Sequence, residues 1–190
     1  MNALMATLRR VPRPLWFALA AIVQAGLVAA MVYDRVSILR TGKDVLLATR
    51  AVDPRDFLRG DYVVLAYDVG QLEDRDVPPE IGKRGGTVYV KLAPGENGVY
   101  SRVSVHAAPV PVSGQELLLQ GKMPSCRYCS TRNISFGLEK YFVPEGQGRD
   151  IEHARNDGKV TVIAAVTPSG RAAIKRLLID GKPVYDEPLF

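Results

Sequence analysis

A chain of 190 residues, 47% apolar and 24% charged, is long enough for one domain with a sizeable core, and its composition is not that of a disordered chain. The formal charge of +5 is a poor guide to partners: with Arg9, Arg10 and Arg13 set aside, the remainder balances 22 basic against 20 acidic residues. No dense basic run with interleaved aromatics appears, which argues against nucleic acid, and those first arginines suit anionic lipid head groups better.

From Pro14 to Tyr33 the sequence reads PLWFALAAIVQAGLVAAMVY, without a charge and with Gln24 as its one strongly polar side chain. About 20 helical residues at roughly 1.5 Å each match the hydrocarbon core of a bilayer, and a helix satisfies its own backbone hydrogen bonds there. Trp16 and Tyr33 stand near the two ends, where amphipathic rings favour the head-group region. A cleaved signal peptide is the rival reading, but its apolar region would be shorter; here the run continues past the small residues of 25–30 to Tyr33. A buried soluble helix fits less well, because the stretch is apolar on all faces. An uncleaved anchor is therefore expected at 14–33, behind a cytoplasmic stub at 1–13. Arg9, Arg10 and Arg13 favour a cytoplasmic N-terminus, although Arg35, Arg40 and Lys43 follow the span closely. With the N-terminus inside, the rest of a bacterial chain is periplasmic.

Residues 34–44 read as a short exit segment closed by a turn at Thr41-Gly42-Lys43, and 45–190 as one β-rich domain. Strands are predicted over 45–52, 62–69, 87–92 and 99–107. In the second, Val63, Leu65, Tyr67 and Val69 share one face and Tyr62, Val64 and Ala66 the other, which predicts a strand inside a sheet. In the fourth, Val99, Val103 and Val105 alternate with Tyr100, Arg102, Ser104 and His106, the pattern of a half-buried strand. Further strands are predicted over 116–123, 133–142, 160–167, 171–179 and 182–185, with a two-residue hairpin turn at Asp180-Gly181 and one short helix near Asp150 to Arg155. The fold class is mostly β (a β-rich α+β domain) with antiparallel pairing, behind one transmembrane helix.

The densest chemistry precedes the second strand. Asp53, Pro54, Arg55, Asp56, Arg59, Gly60 and Asp61 place three carboxylates and two arginines within nine residues. The three aspartates could offer oxygen ligands to a hard cation, but the spacing is not that of an EF-hand loop. The plainer account has each aspartate bonding to nearby backbone amides and the arginines neutralising them, so no metal is expected.

The run Gly60-Asp61-Tyr62-x-x-Leu65-x-Tyr67 resembles, position for position, the motif that names the GDYXXLXY family of bacterial membrane-anchored proteins. Asp53-Pro54-Arg55-Asp56 and a second block holding Gly137, Glu139, Tyr141, Phe142, Pro144, Glu145 and Gly146 are similar to further parts of that family. The resemblance implies a membrane-anchored protein without an assigned activity. It also implies a partner, because the family's domain occurs beside or joined to multi-pass membrane proteins. It supplies no catalytic residues and no cofactor. A Gly-Asp opening an apolar strand is also similar to serine–lysine signal peptidases, whose nucleophile lies about eight residues earlier. That position is Val52, no serine occurs between Thr41 and Gly60, and the chemistry fails.

Two further sets of residues carry possible chemistry. Cys126 and Cys129 are the only cysteines, and in an oxidising compartment a local disulfide is expected. A redox role would want the pair at a helix N-terminus in an α/β pattern, and zinc would want two more ligands. Glu139 and Glu145, or Glu152 beside His153, could serve acid–base chemistry, but an exposed pair Glu139-Lys140 and a turn at 144–146 account for them as well. The expected function is that of a non-enzymatic accessory or interaction domain. The competing classes are a hydrolase built on the aspartate loop, a redox protein using the cysteines, and a small-ligand or envelope sensor.

Overall fold

The computed structural model describes residues 12–51, 62–126, 128–142 and 148–186. They divide into two units, one ending at Ser37 and the other beginning at Ile38. The first is the greater part of α1 (Arg13–Thr41). It is rich in Ala and Leu, which are good helix formers, and Leu15, Phe17, Ile22, Val28, Met31 and Tyr33 are exposed around its circumference. A helix apolar on every side has no water-facing stripe, and Pro14–Thr41 is long and apolar enough to cross a bilayer.

The second unit is antiparallel β. One sheet has five strands in the order β12 (Lys182–Asp186), β11 (Ala172–Ile179), β10 (Val160–Val166), β1 (Lys43–Arg50) and β3 (Ala66–Tyr67). Another has three, in the order β6 (Tyr100–His106), β5 (Gly86–Pro94) and β7 (Leu117–Met123). Two ribbons complete it: β2 (Tyr62–Val64) with β9 (Lys140–Phe142), and β4 (Gln71–Glu73) with β8 (Thr131–Asn133). The short α2 (Gly148–Asn156) stands between β9 and β10 in the chain. Period-two alternation sends Val45 and Leu47 of β1, and Val88, Val90 and Leu92 of β5, into one contiguous core shared by both sheets and both ribbons. Each fully buried Leu or Val stabilises the fold by about 1.5–3 kcal/mol. An exposed pair such as Arg75–Glu73 contributes about 0–1, so the core dominates.

The last turn of α1 belongs to this unit. Ile38 and Leu39 are buried against Ala165 and Ala173, which face each other across β10 and β11. The two alanines leave room for the turn to approach the sheet. Gly42 follows with its N–H on the Ile38 carbonyl, and a Cβ there would stand 2.7 Å from that oxygen and 2.9 Å from the backbone of Ala165. The predicted exit segment is thus mostly helical: α1 runs on to Thr41, and β1 starts one residue after Gly42.

Three predicted strands differ in detail. The run 62–69 is not one continuous strand; it breaks at Leu65 into β2 and β3, each with a single strand neighbour among the described residues, because the chain changes partners there. Its inward face holds, with Val63, Leu65, Tyr67 and Val69 all buried, while Val64 is 38% exposed. In β6 a bulge opposite Lys91 and Leu92 turns Val103 outward and leaves Tyr100 buried, reversing the expected faces before the bulge, while beyond it Val105 packs against the core as expected. The predicted strand 133–142 is not continuous: it takes in the last residue of β8 and the whole of β9, with irregular chain between them that touches β7 through a single bridge from Ser135 to Lys122.

Candidate functional site

The two blocks that stood out in the sequence, 60–67 and 137–146, meet where they are described. β2 pairs antiparallel with β9, placing Tyr62 opposite Phe142, Val63 opposite Tyr141 and Val64 opposite Lys140. One residue on, the Leu65 N–H donates to the Glu139 carbonyl at 2.8 Å, so the pairing continues past the end of β2. Leu65 and Tyr141 are each 1% exposed.

Tyr67 is the polar hinge of this junction. Its ring is buried edge-on to Phe136, with centroids 6.5 Å apart, and its hydroxyl donates to the Leu138 carbonyl at 2.7 Å. Burial holds the Tyr67 hydroxyl well above its ordinary pKa, and the Glu139 carboxylate adds to the shift. Glu139 in turn accepts from the backbone amides of Phe136 and Gly137, the latter at 3.0 Å. Gly137 has φ +78, a left-handed angle that suits glycine and lets the chain fold back under that carboxylate. A phenol that donates to main chain and a carboxylate that caps its own turn are fixtures of the fold; neither is poised as a nucleophile or base.

The third contributor is Arg155, 1% exposed and the largest of the fully buried side chains. On α2 it lies one turn beyond Ile151, which is also buried, so both share the inward face of the helix. Its Nη1 donates to the Val64 carbonyl, and Nη2 donates to Asn156 Oδ1 at 3.0 Å. The Val64 carbonyl sits at the break between β2 and β3, and the guanidinium satisfies it there. Sequence reasoning placed a helix near Arg155 but missed this role. The available signal was the i, i+4 spacing of Ile151 and Arg155 in a helix whose other residues are mostly polar.

Asp53, Pro54, Arg55, Asp56, Arg59, Gly60 and Asp61 lie outside the described residues, as do Pro144, Glu145 and Gly146. Of Tyr62 and Phe142 the backbone pairing is described.

Cys126 and Cys129 are joined in a disulfide, with their Cα atoms 5.9 Å apart, in the loop from β7 to β8. Between them Tyr128 is 94% exposed. The loop leads into Arg132, 4% exposed, whose guanidinium donates to the Gly82 carbonyl at 2.6 Å and to Asp74 at 2.9 Å. Arg132 was also missed; it is the inward residue of a three-residue strand whose neighbours point out.

On the outer face of the three-stranded sheet, Ser104 Oγ and His106 Nε2 are 2.8 Å apart, and Lys91, opposite Ser104 in the register, bonds Glu116 at 2.7 Å. The hydrogen bond from Lys91, followed by that from the Ser113 amide, lowers the Glu116 pKa. No third group orients His106 among the bonds described, so the pair lacks the arrangement of an activated serine. Among the described residues, no group of three His, Cys, Asp or Glu side chains is placed to hold a metal ion.

The model of the GDYXXLXY protein family matches residues 24–177, from the middle of α1 into β11. The chain belongs to that family. No curated protein and no solved structure matches it.

Proposed function

We propose that this chain is a non-catalytic accessory domain, anchored by α1 at the extracytoplasmic face of a bacterial inner membrane, and that it serves a multi-pass membrane protein. The observation that carries this reading is the commitment of the described motif side chains to the fold. Leu65, Tyr67 and Tyr141 are buried, Tyr67 and Glu139 are engaged with backbone, and Arg155 is spent on the Val64 carbonyl. A site that turned over a substrate would keep such groups open. Among the described residues, β6 and β12 are also the outermost strands of the two sheets, and each carries an exposed valine, Val103 at 56% and Val184 at 44%, so both edges offer backbone and apolar contact to a partner.

Crosslinking of the full-length protein in its native membrane, followed by identification of what is captured, tests the reading. A multi-pass protein is the expected product, and a purely soluble one would overturn it. Asp56→Ala and Asp61→Ala are expected to lower stability without abolishing any turnover; loss of a measurable reaction with the fold intact would restore the enzyme. Thiol labelling in intact cells tests the compartment: Cys126 and Cys129 are expected to be oxidised, and a reduced pair would place the domain in the cytoplasm.

A further inference from the structure

Gln24 divides the apolar span into 14–23 before it and 25–33 after it, which puts its amide at mid-bilayer if α1 crosses one. No water reaches that depth, and a polar side chain there is ordinarily turned toward protein. The same side chain shares one face of the helix with Trp16, Leu19, Ala20, Val23 and Leu27. Ala20, one turn before Gln24, is the small residue that allows another backbone to come close.

We propose that two copies of this chain pair in the membrane through this face of α1, with the two Gln24 amides hydrogen-bonded to each other. The inference rests on reading α1 as a membrane span. A second copy supplies the polar partner that Gln24 needs. Two copies inserted the same way run parallel, so each residue meets its counterpart at the same depth. An amide carries both a donor and an acceptor, and is its own complement. The partner helix thereby brings a matching polar group to Gln24, and the short Ala20 lets the two backbones close around it. By helical periodicity Ala18, Ala25 and Ala29 fall on the opposite side of α1, with Ala25 roughly 160° around from Val23. That alanine stripe is the competing face.

Single cysteines in the full-length protein, oxidised in native membranes and read on non-reducing gels, separate the two faces. Val23→Cys is expected to give a dimer and Ala25→Cys little or none. On the Val23→Cys background, Gln24→Leu is expected to lower the dimer roughly 3- to 30-fold, the range of one interhelical hydrogen bond, while Gln24→Asn retains most of it. A dimer through Ala25→Cys in place of Val23→Cys overturns the proposal. So does an unchanged dimer with Gln24→Leu, or an adduct of Val23→Cys with a different protein in place of a second copy. Alkaline extraction run beside it tests the span itself. Release of the protein sinks the anchor and the pairing together; retention with no Gln24 effect sinks the pairing alone.

Discussion

The GDYXXLXY strand and the Cys-Arg-Tyr-Cys loop are the two most conspicuous segments of the sequence, and they end in opposite surroundings. At the first, β2, β9 and α2 close around Tyr67, Tyr141 and Arg155, and each described polar group there bonds to backbone or to a neighbour. At the second, a disulfide closes a four-residue ring in a loop, and Tyr128 between the cysteines is almost wholly in solvent. The contrast teaches what each kind of signal marks. Charged and aromatic residues crowded against an apolar strand mark a junction where the chain changes partners and its backbone groups must be met by side chains. A cysteine pair three apart marks a local clasp that holds only its own loop.

If that contrast is right, substitutions at the junction hurt far more than those in the clasp. Arg155→Ala is expected to have the largest effect, about 3 kcal/mol or more, because it opens a void where a fully buried side chain stood and takes the guanidinium donor from the half-buried Val64 carbonyl. Denaturant unfolding of the full-length protein in detergent would show it, and a loss below 1 kcal/mol would mean that the guanidinium is not needed there. Tyr67→Phe removes one buried hydrogen bond and leaves the Leu138 carbonyl without it, for about 1–2 kcal/mol.

The same residue sharpens the contrast through pH. The Tyr67 pKa is raised in the fold, so its contribution is complete below the unfolded value of about 10 and is lost as pH rises above it. Alkaline titration of stability is expected to show a falling limb above that pH, and Tyr67→Phe to flatten it.

Replacing both Cys126 and Cys129 by serine is expected to cost about 1 kcal/mol, under the roughly 2 kcal/mol that chain entropy assigns so short a loop. A larger loss in a melting experiment would show that the clasp supports the Arg132 ribbon behind it. The smallest effect belongs to Tyr128→Ala, within about 0.5 kcal/mol, since the ring is 94% exposed. A marked change in the same melting experiment would show that the side chain helps to hold its loop.

Much of this architecture could be read from the residues. Alternation identified Val63, Leu65, Tyr67 and Val69 as one buried face, the short helix was placed, and Asp180-Gly181 does join two paired strands. These are local signals, in which each residue's neighbours in sequence are also its neighbours in space. What stayed hidden depended on distant partners. The break at Leu65 follows from the change of partner from β9 to β1, and the outward turn of Val103 from a bulge against β5. Arg155 reads as a solvent-facing charge until the Val64 carbonyl, 91 residues earlier, is placed beside it.

The position of Ile38 and Leu39 has a practical consequence for where this protein can be cut. The edge of the apolar run and the edge of the folded domain do not coincide; the last helical turn is core for the sheet it touches. A soluble fragment starting at Lys43 would look complete by strand count, yet it would bare Ala165 and Ala173 and forfeit about 1.5–3 kcal/mol for each missing side chain. A fragment starting at Asp34 keeps that turn and, with it, the covered face.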